Sequence, residues 1–352
     1  MGKIEYLEFL RSKQNVATDA GFDADDLNEH LFQYEADIVR WALKKGKAAL
    51  FEDCGLGKSI QQLSWAEKVS EHTGKSVLIV APLSVAHQTV REGEKFGIEA
   101  IYAKDMSTVK ETGIYTTNYE RLGGFDAAAF SGVVLDESSI LKDYTSATKQ
   151  VLIDMFMETP YKLCCTATPS PNDYVELGNH AEFLGIMSRT EMLATYFVHD
   201  GGETQKWRLK GHAQDAFFAW VASWACCMTH PADLGYEMVG FNLPDLRLHE
   251  IEVKTGTIEA EDGQFGLFPQ VSMSLMERRK ARRESLGSRA RKAAEIAMME
   301  DTPCLLWCDL NSEQDELEEL LGDRAFSVRG ATPSDLKVEY ERRWREGERN
   351  IL

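Results

Sequence analysis

Between about residues 30 and 170, short apolar runs alternate with segments of helical period. The runs are AALFE (48–52), SVLIVA (76–81), GIYTTN (113–118), GVVLDE (132–137) and YKLCCTAT (161–168). Several are continuous rather than alternating, as expected for strands covered on both faces of a parallel sheet. Helix-like segments such as Ile60 to Val69 and Thr148 to Met157 lie between them. That order predicts an α/β fold with a doubly wound parallel sheet flanked by helices.

After Pro171 the pattern changes. A mostly helical, aromatic-rich stretch runs to about Thr229, and its AQDAFFAWVASWACCM segment reads as a buried helix. A Gly/Pro-punctuated region follows, with FNLPDL (241–246), the strand-like LHEIEV (248–253) and the turn-rich EAEDGQFGLFPQ. A basic helix (about 274–300), strand CLLWC (304–308), helix SEQDELEELL (312–321) and strand AFSVRG (325–330) then open a second α/β unit. The expected organisation is a first lobe over 1–240 with a helical insertion at about 183–240, a linker over 241–272, and an incomplete second lobe over 273–352. There is no internal repeat.

Composition adds exclusions. Of 352 residues, 27% are charged and 43% hydrophobic, the mix of a globular protein. No apolar run is long enough to span a bilayer, and the MGKIEYLEFLRSK start does not read as a signal peptide, so a cytoplasmic location is expected. The net charge of −18 gives no global support for nucleic-acid binding, although only the surface that meets phosphate need be basic. One basic patch, ERRKARRESLGSRARK (277–292), reads either as such a surface or as a solvated helix face. Seven cysteines, including two adjacent pairs, do not form a disulfide framework. Cys304 and Cys308 have no second pair at zinc-site spacing and read as buried core thiols.

The chemistry concentrates in two places. AALFE runs into EDCGLGKS (Glu52 to Ser59) and then into an amphipathic helix, which is the strand–loop–helix context of a phosphate loop. Glycines such as Gly55 and Gly57, with Leu56 between them, let backbone N–H groups converge on phosphate oxygens at a positive helix end. Lys58 would reach the β- and γ-phosphates of a nucleoside triphosphate, and the Ser59 hydroxyl would coordinate Mg²⁺. The strict loop pattern fails at one position, where Glu52 replaces its first glycine. The second place is Asp136-Glu137, at the carboxyl end of GVVLDE, the ligand edge of a parallel sheet. There Asp136 would hold Mg²⁺, and Glu137 would orient and deprotonate the attacking water.

With these motifs in place, the remaining segments resemble, in order, those of superfamily 2 helicases. EDCGLGKS is similar to the phosphate loop of Swi/Snf-type remodelling ATPases. APLSVAHQTVRE (81–92) resembles their motif Ia, TTNYERL (116–122) motif Ib, VLDESSILKD (134–143) motif II, and TATPSPNDYVELGNHAEFLG (166–185) motif III. The DESS-ILK and TATP-PND variants look most like DEAD/DEAH-type enzymes of bacteriophages and prophages. The resemblance implies an ATP-driven helicase or translocase on double-stranded DNA, built from two RecA-like lobes. It implies that Pro82, Ser84, Asn118 and Tyr119 lie along the nucleic-acid backbone, and that Thr166 and Thr168 couple nucleotide state to that surface.

Three departures qualify the resemblance. In LFQYEADIVRWAL (31–43) the position of the family's adenine-reading glutamine is Glu35, which lacks the amide's donor. Ser138-Ser139 stands where a histidine often links motif II to the other lobe. The sequence ends at GERNIL, before the family's motifs V and VI with their arginine fingers, and Arg342, Arg343 and Arg345 read as a solvated helix face. The expectation is a chain that binds ATP but by itself hydrolyses it poorly. A non-catalytic ATP- or DNA-binding module is the alternative from another class. A kinase or GTPase is disfavoured, because the acidic pair and TATP segment have no role there.

Overall fold

The computed structural model of the protein describes residues 16–143, 145–199, 207–238, 240–241, 245–253, 281–299 and 302–352. Chain contacts divide it into two compact units, Met1–Leu243 and Pro244–Leu352. The expected turn-rich connection at 259–270 lies outside the described residues.

The first unit contains strands β1 (Lys47–Glu52), β2 (Ser76–Ala81), β3 (Ala100–Tyr102), β4 (Ile114–Asn118), β5 (Phe130–Asp136), β6 (Tyr161–Cys165), β7 (Phe197–His199), β8 (Trp207–Leu209) and β9 (Ala225–Met228). Seven of them form one sheet in the order β3-β4-β2-β5-β6-β1-β9, with every pairing parallel. The strands β7 and β8 form a separate antiparallel hairpin. The helices are α1 (Gln33–Lys45), α2 (Lys58–Thr73), α3 (Leu83–Phe96), α4 (Ala147–Met155), α5 (Leu177–Leu184), α6 (Arg189–Tyr196) and α7 (Gln214–Ala222). The α/β class and the parallel sheet flanked by helices are as the sequence predicts.

Successive residues of each strand point to opposite faces, so continuous apolar runs serve two cores. Ala48, Leu50, Val77, Ile79, Val134, Leu163 and Cys165 pack with α1 and α2 residues such as Ile38, Leu43, Leu63 and Trp65. Ala49, Phe51, Leu78, Val80, Val133, Leu135 and Cys164 pack on the other side, with Leu152, Ala181, Met192, Phe217 and Trp220 from α4 to α7. A segment ahead of α1 also closes that helix: the N–H groups of Ala20, Gly21 and Phe22 donate to the carbonyls of Lys45, Lys44 and Leu43. These are end carbonyls that the helix itself cannot satisfy.

Four strands escape the sequence pattern, among them the hairpin strands β7 and β8, which lie in the stretch that reads as mostly helical. β3 has only three residues. β9 lies inside the AFFAWVASWACCM run that reads as one helix; α7 stops at Ala222, the Ser223 hydroxyl donates to the Trp220 carbonyl, and Ala225–Met228 pairs with β1 instead. A continuous apolar run carries no period that separates buried helix from buried strand.

The second unit is smaller. Its helices are α8 (Leu286–Met299), α9 (Asn311–Leu321) and α10 (Ser334–Arg345). Ala290, Ala294, Ala297, Leu317, Leu321 and Ile351 form its core, with Cys304, Leu306, Cys308 and Ala325 packed against it. Ile351 lies between Cys304 and Ala325 in parallel bridges, so the expected strands at 304–308 and 325–330 each reduce to one bridge. Cys304 and Cys308 are half-buried rather than buried, and Trp307 between them is 89% exposed. The LHEIEV run is not a strand: residues 248–253 have no regular structure, and Leu248 is exposed. In the described part of the basic patch three of the five cations are ion-paired, Arg282 to Asp309, Arg289 to Glu313 and Lys292 to Glu295. Arg342, Arg343 and Arg345 pair with glutamates of α10 and the residues just after it; Arg342 and Arg345 are exposed as expected, whereas Arg343 is half-buried over the Phe326 ring. The seven cysteines form no disulfide, and no helix among the described residues is long and apolar enough to cross a membrane.

Candidate functional site

Every motif of the first unit emerges at the carboxyl edge of the sheet. Along that edge come Asn118 and Tyr119 after β4, Pro82 and Ser84 after β2, Asp136 and Glu137 at β5, Thr166 and Thr168 after β6, and the phosphate loop after β1. Parallel strands make this convergence automatic, because their carboxyl ends all face one way.

The phosphate loop is shaped by its glycines. Gly55 (φ 82°) and Gly57 (φ 79°) take the left-handed conformation, and Gly57 caps the 16-residue helix α2. The loop is held from beneath. The Leu56 carbonyl accepts from both the Tyr34 hydroxyl (3.1 Å) and Gln61 Nε2 (2.9 Å), and Gln61 Nε2 also donates to Glu52 Oε2 at 2.8 Å. Lys58 Nζ donates to the carbonyls of Glu52 (2.8 Å) and Asp53 (2.9 Å). The Ser59 residue stands in the first turn of α2, half-buried.

Glu35 is 3% exposed, and both its oxygens are engaged. Oε2 accepts from the Phe32 N–H at 2.7 Å, closing the N-terminus of α1, and Oε1 lies 3.2 Å from the Tyr34 hydroxyl. A Cβ on Gly57 would fall 1.8 Å from Oε1, so the carboxyl group packs directly on the glycine. Burial raises the Glu35 carboxyl to about 7, against the lowering effect of the Phe32 N–H. Glu52, also buried, is pushed up to about 8 by burial, against the hydrogen bond from Gln61 and the charge of Lys58.

Asp136 and Glu137 sit side by side in different surroundings. Asp136 is buried; Oδ2 accepts from Gln62 Nε2 (3.0 Å) and Oδ1 from the Glu137 N–H (3.0 Å). Burial raises its carboxyl, opposed by the Gln62 hydrogen bond. Glu137 is exposed and adopts φ 54°, ψ 48°, the one non-glycine with positive φ among the described residues. Its Oε2 lies 3.5 Å from Thr166 Oγ1, which in turn accepts from the Thr168 N–H at 3.1 Å. Thr166 is buried and Thr168 exposed.

On the other half of the edge, Pro82 caps α3 and Ser84 is half-buried in its first turn. Asn118 is buried, accepting from the Tyr102 hydroxyl (2.8 Å) and donating to Glu120 (2.5 Å). Tyr119 turns inward: it is 9% exposed, and its hydroxyl donates to the Asp136 carbonyl at 2.7 Å. It thereby ties the end of β4 to the end of β5. Sequence reasoning missed three polar groups in this layer, Gln62, Asn179 and His180, all buried.

The chemistry of the donors fits a triphosphate with a hard cation. The N-terminus of a long helix behind a glycine loop is an anion site, and nothing lies within 4 Å of a Cβ position on Gly55. Among the described residues no three His, Cys, Asp or Glu side chains gather as a cage. One hydroxyl and one carboxylate instead suit Mg²⁺, which keeps waters and takes phosphate oxygens as its other ligands.

Residues 32–196 match the family model described as the SNF2-related domain. The mouse DNA annealing helicase and endonuclease ZRANB3 is 27% identical over 171 residues, which cover 44% of this chain and 16% of that protein. The SWI/SNF-related matrix-associated actin-dependent regulator of chromatin subfamily A-like protein 1 of Xenopus tropicalis is 26% identical over 163 residues, 43% of this chain and 17% of that protein. The matched stretch is therefore under a fifth of either relative. Among solved structures, the Sulfolobus solfataricus SWI2/SNF2 ATPase core in complex with dsDNA aligns with a TM-score of 0.48 at 20% identity, covering 59% of this chain and 46% of that one. The UvsW helicase from bacteriophage T4 aligns at 0.36 and 13% identity, covering 53% and 66%.

Proposed function

We propose, on the premise of an SNF2-related domain over residues 32–196, that this protein is an ATP-dependent motor acting on double-stranded DNA, a translocase or helicase. The observation that carries the reading is the shared sheet edge, where Lys58 and the loop, the Asp136-Glu137 pair and Thr166 stand on adjacent strands. ATP is the substrate. Its phosphates are received by the backbone of Gly55, Leu56 and Gly57 and by Lys58, which exchanges its bonds to the Glu52 and Asp53 carbonyls for phosphate oxygens. Ser59 and Asp136 would hold Mg²⁺, which would supply charge neutralisation on the phosphates. Glu137 orients the attacking water and accepts its proton, and Thr166 reports the state of that carboxylate to the strand end.

In this reading Pro82 and Ser84 face the DNA backbone and Thr168 the coupling surface, Asn118 and Tyr119 support that surface from within, and Glu35 serves the nucleotide loop from below. The first unit is then one RecA-like motor lobe, and 273–352 belongs to a second lobe beyond a linker. The motif variants support a phage or prophage origin and action in the cytoplasm of a bacterial host. A second reading, a non-catalytic ATP- and DNA-binding module, is favoured by the engagement of Arg342, Arg343 and Arg345 with neighbouring glutamates.

Phosphate release from ATP by the purified protein, with and without duplex DNA, separates the two. The motor reading expects slow turnover by this chain that duplex DNA stimulates and that Lys58→Ala and Glu137→Gln abolish, Lys58→Ala with loss of nucleotide binding and Glu137→Gln without it. Binding of ATP and DNA with no turnover under either condition refutes the motor and leaves the module.

A further inference from the structure

Glu137 is held at φ 54°, in the left-handed region that a residue with a Cβ disfavours. Such strain persists only where the surroundings over-determine it. The surroundings are specific. Glu137 is followed by a tight 3-10 turn, Ser138–Lys142, in which Ser138 and Leu141 are buried and the Ile140 N–H donates to the Glu137 carbonyl at 3.2 Å. Two adjacent side chains of α5 grip this turn from the side away from the phosphate loop's helix. His180 Nε2 lies 3.2 Å from Ser138 Oγ, and Asn179 Nδ2 donates to the Lys142 carbonyl at 3.0 Å. One bond therefore falls on the first residue of the turn and the other on its last.

The grip is rigid. His180 is fully buried, its ring meets Phe51 of β1 edge-on at 5.1 Å, and burial lowers its pKa to about 4, so it is neutral at ordinary pH. Asn179 is buried as well. Both stand on the helix that follows the Thr166–Pro169 segment, which touches the Glu137 carboxylate from its other end through Thr166.

We infer that Asn179 and His180 are positioning residues that hold the turn after Glu137, and through it the left-handed backbone that presents the Glu137 carboxylate beside Thr166. Neither touches nucleotide in this scheme; they act through Ser138 and Lys142. Their catalytic consequence rests on the proposed ATPase, but the conformational clamp does not.

Two measurements on the full chain test it separately. In the first, Glu137→Gly is made in the wild type and in the His180→Phe background, and the folding equilibrium constant is measured by urea titration. His180→Phe keeps the ring against Phe51 and removes the contact to Ser138. Glycine relieves the strain, so the constant rises about threefold or more in the wild type. It rises less than about 1.5-fold once the clamp is gone and Glu137 is free to relax. An equal gain in both backgrounds overturns the clamp. If His180→Phe does not fold, Asn179→Leu serves as the second background with the same expectation.

In the second, ATP turnover and nucleotide Kd are compared. His180→Phe lowers kcat about tenfold or more with KM and Kd within about twofold, and His180→Gln, which restores a polar partner to Ser138, recovers most of it. Unchanged kcat, or losses shared equally by Kd, overturns the positioning role. A wild type with no turnover refutes the motor, and the first measurement still decides the clamp.

Discussion

Replacing Gly57 with alanine tests whether the phosphate loop and α1 are built as one piece. An added Cβ would sit 1.8 Å from Glu35 Oε1 and 2.8 Å from its carboxyl carbon. The obstacle is the far end of a side chain, so the clash is relieved by swinging Glu35 away rather than by moving backbone. The displaced carboxylate then gives up its 2.7 Å bond from the Phe32 N–H and its contact with the Tyr34 hydroxyl. Losing a helix N-terminal bond of this kind costs about 1 kcal/mol. The left-handed backbone at φ 79° adds about 1–2 kcal/mol for any residue with a Cβ, partly offset by about 0.5 kcal/mol from the stiffer unfolded chain. The expected total is about 2 kcal/mol. In a Glu35→Ala background only the backbone part remains, so the same substitution costs about 1 kcal/mol less. Urea unfolding followed by tryptophan emission reads this, because Trp65, Trp220 and Trp224 are buried in the first unit. Equal costs in the two backgrounds would refute the idea that Glu35 is the loop's support.

Two further outcomes follow from the same layer. Glu35 at about 7 and Glu52 at about 8 hold protons that the unfolded chain releases near pH 4.5. Their contribution is complete below about pH 4.5 and is lost as pH rises through 7 to 8. Each tenfold difference in proton affinity between folded and unfolded chain is worth about 1.4 kcal/mol, so the loss is a few kcal/mol for each group and up to about 8 kcal/mol for the two together; Glu52→Gln should flatten the dependence in urea titrations between about pH 5 and 9. Gly21→Ala places a Cβ 1.8 Å from the Leu43 carbonyl oxygen, where only backbone can yield. It should unzip the segment from the end of α1 and lower stability by about 2 kcal/mol or more, with hydrogen exchange at Ala20, Gly21 and Phe22 rising first; unchanged exchange there would count against the capping role.

The fold was legible where burial on both faces leaves an unmistakable apolar run. SVLIVA became β2 without a residue of error, and AALFE, GIYTTN, GVVLDE and YKLCCTAT moved by at most a few positions at their ends. The phosphate loop and acid pair were legible because strand, glycine and carboxylate come in fixed local order. What stayed hidden depends on contacts distant in sequence. Nothing near Glu35 says that it packs on Gly57, and nothing in VELGNHAEFL marks Asn179 and His180 as partners of a turn about forty residues earlier. The one local signal was a helix buried nearly all round, with only Glu182 partly exposed, that carries two further polar residues. In the second unit the apolar spelling of CLLWC misled, since Leu305 and Trp307 face outward while Cys304, Leu306 and Cys308 face the core.

The distribution of buried polar groups points the same way as the motifs. Away from the carboxyl edge, strand residues such as Val77, Ile79, Val133 and Leu163 lie in the apolar clusters, and the buried polar strand residues there, Ser76, Ser131 and Lys162, have hydrogen-bond partners. At the edge, Glu35, Glu52, Gln61, Gln62, Asp136, Asn179 and His180 are all buried, and Glu52 Oε1, Gln61 Oε1 and Gln62 Oε1 have no hydrogen-bond partner. Each such orphan costs about 1–3 kcal/mol, and apolar residues of similar volume would make a more stable layer. A sheet edge that keeps these polar side chains out of water is therefore not explained by stability. It is explained if the groups fix two loops against each other: the glycine loop through Tyr34, Glu35 and Gln61, and the acid pair through Gln62, Asn179 and His180. Both loops then arrive at one place on the sheet already shaped. On this view the energetic cost falls where local rules are broken for a site, and the broken rules lie beside the residues proposed to meet nucleotide.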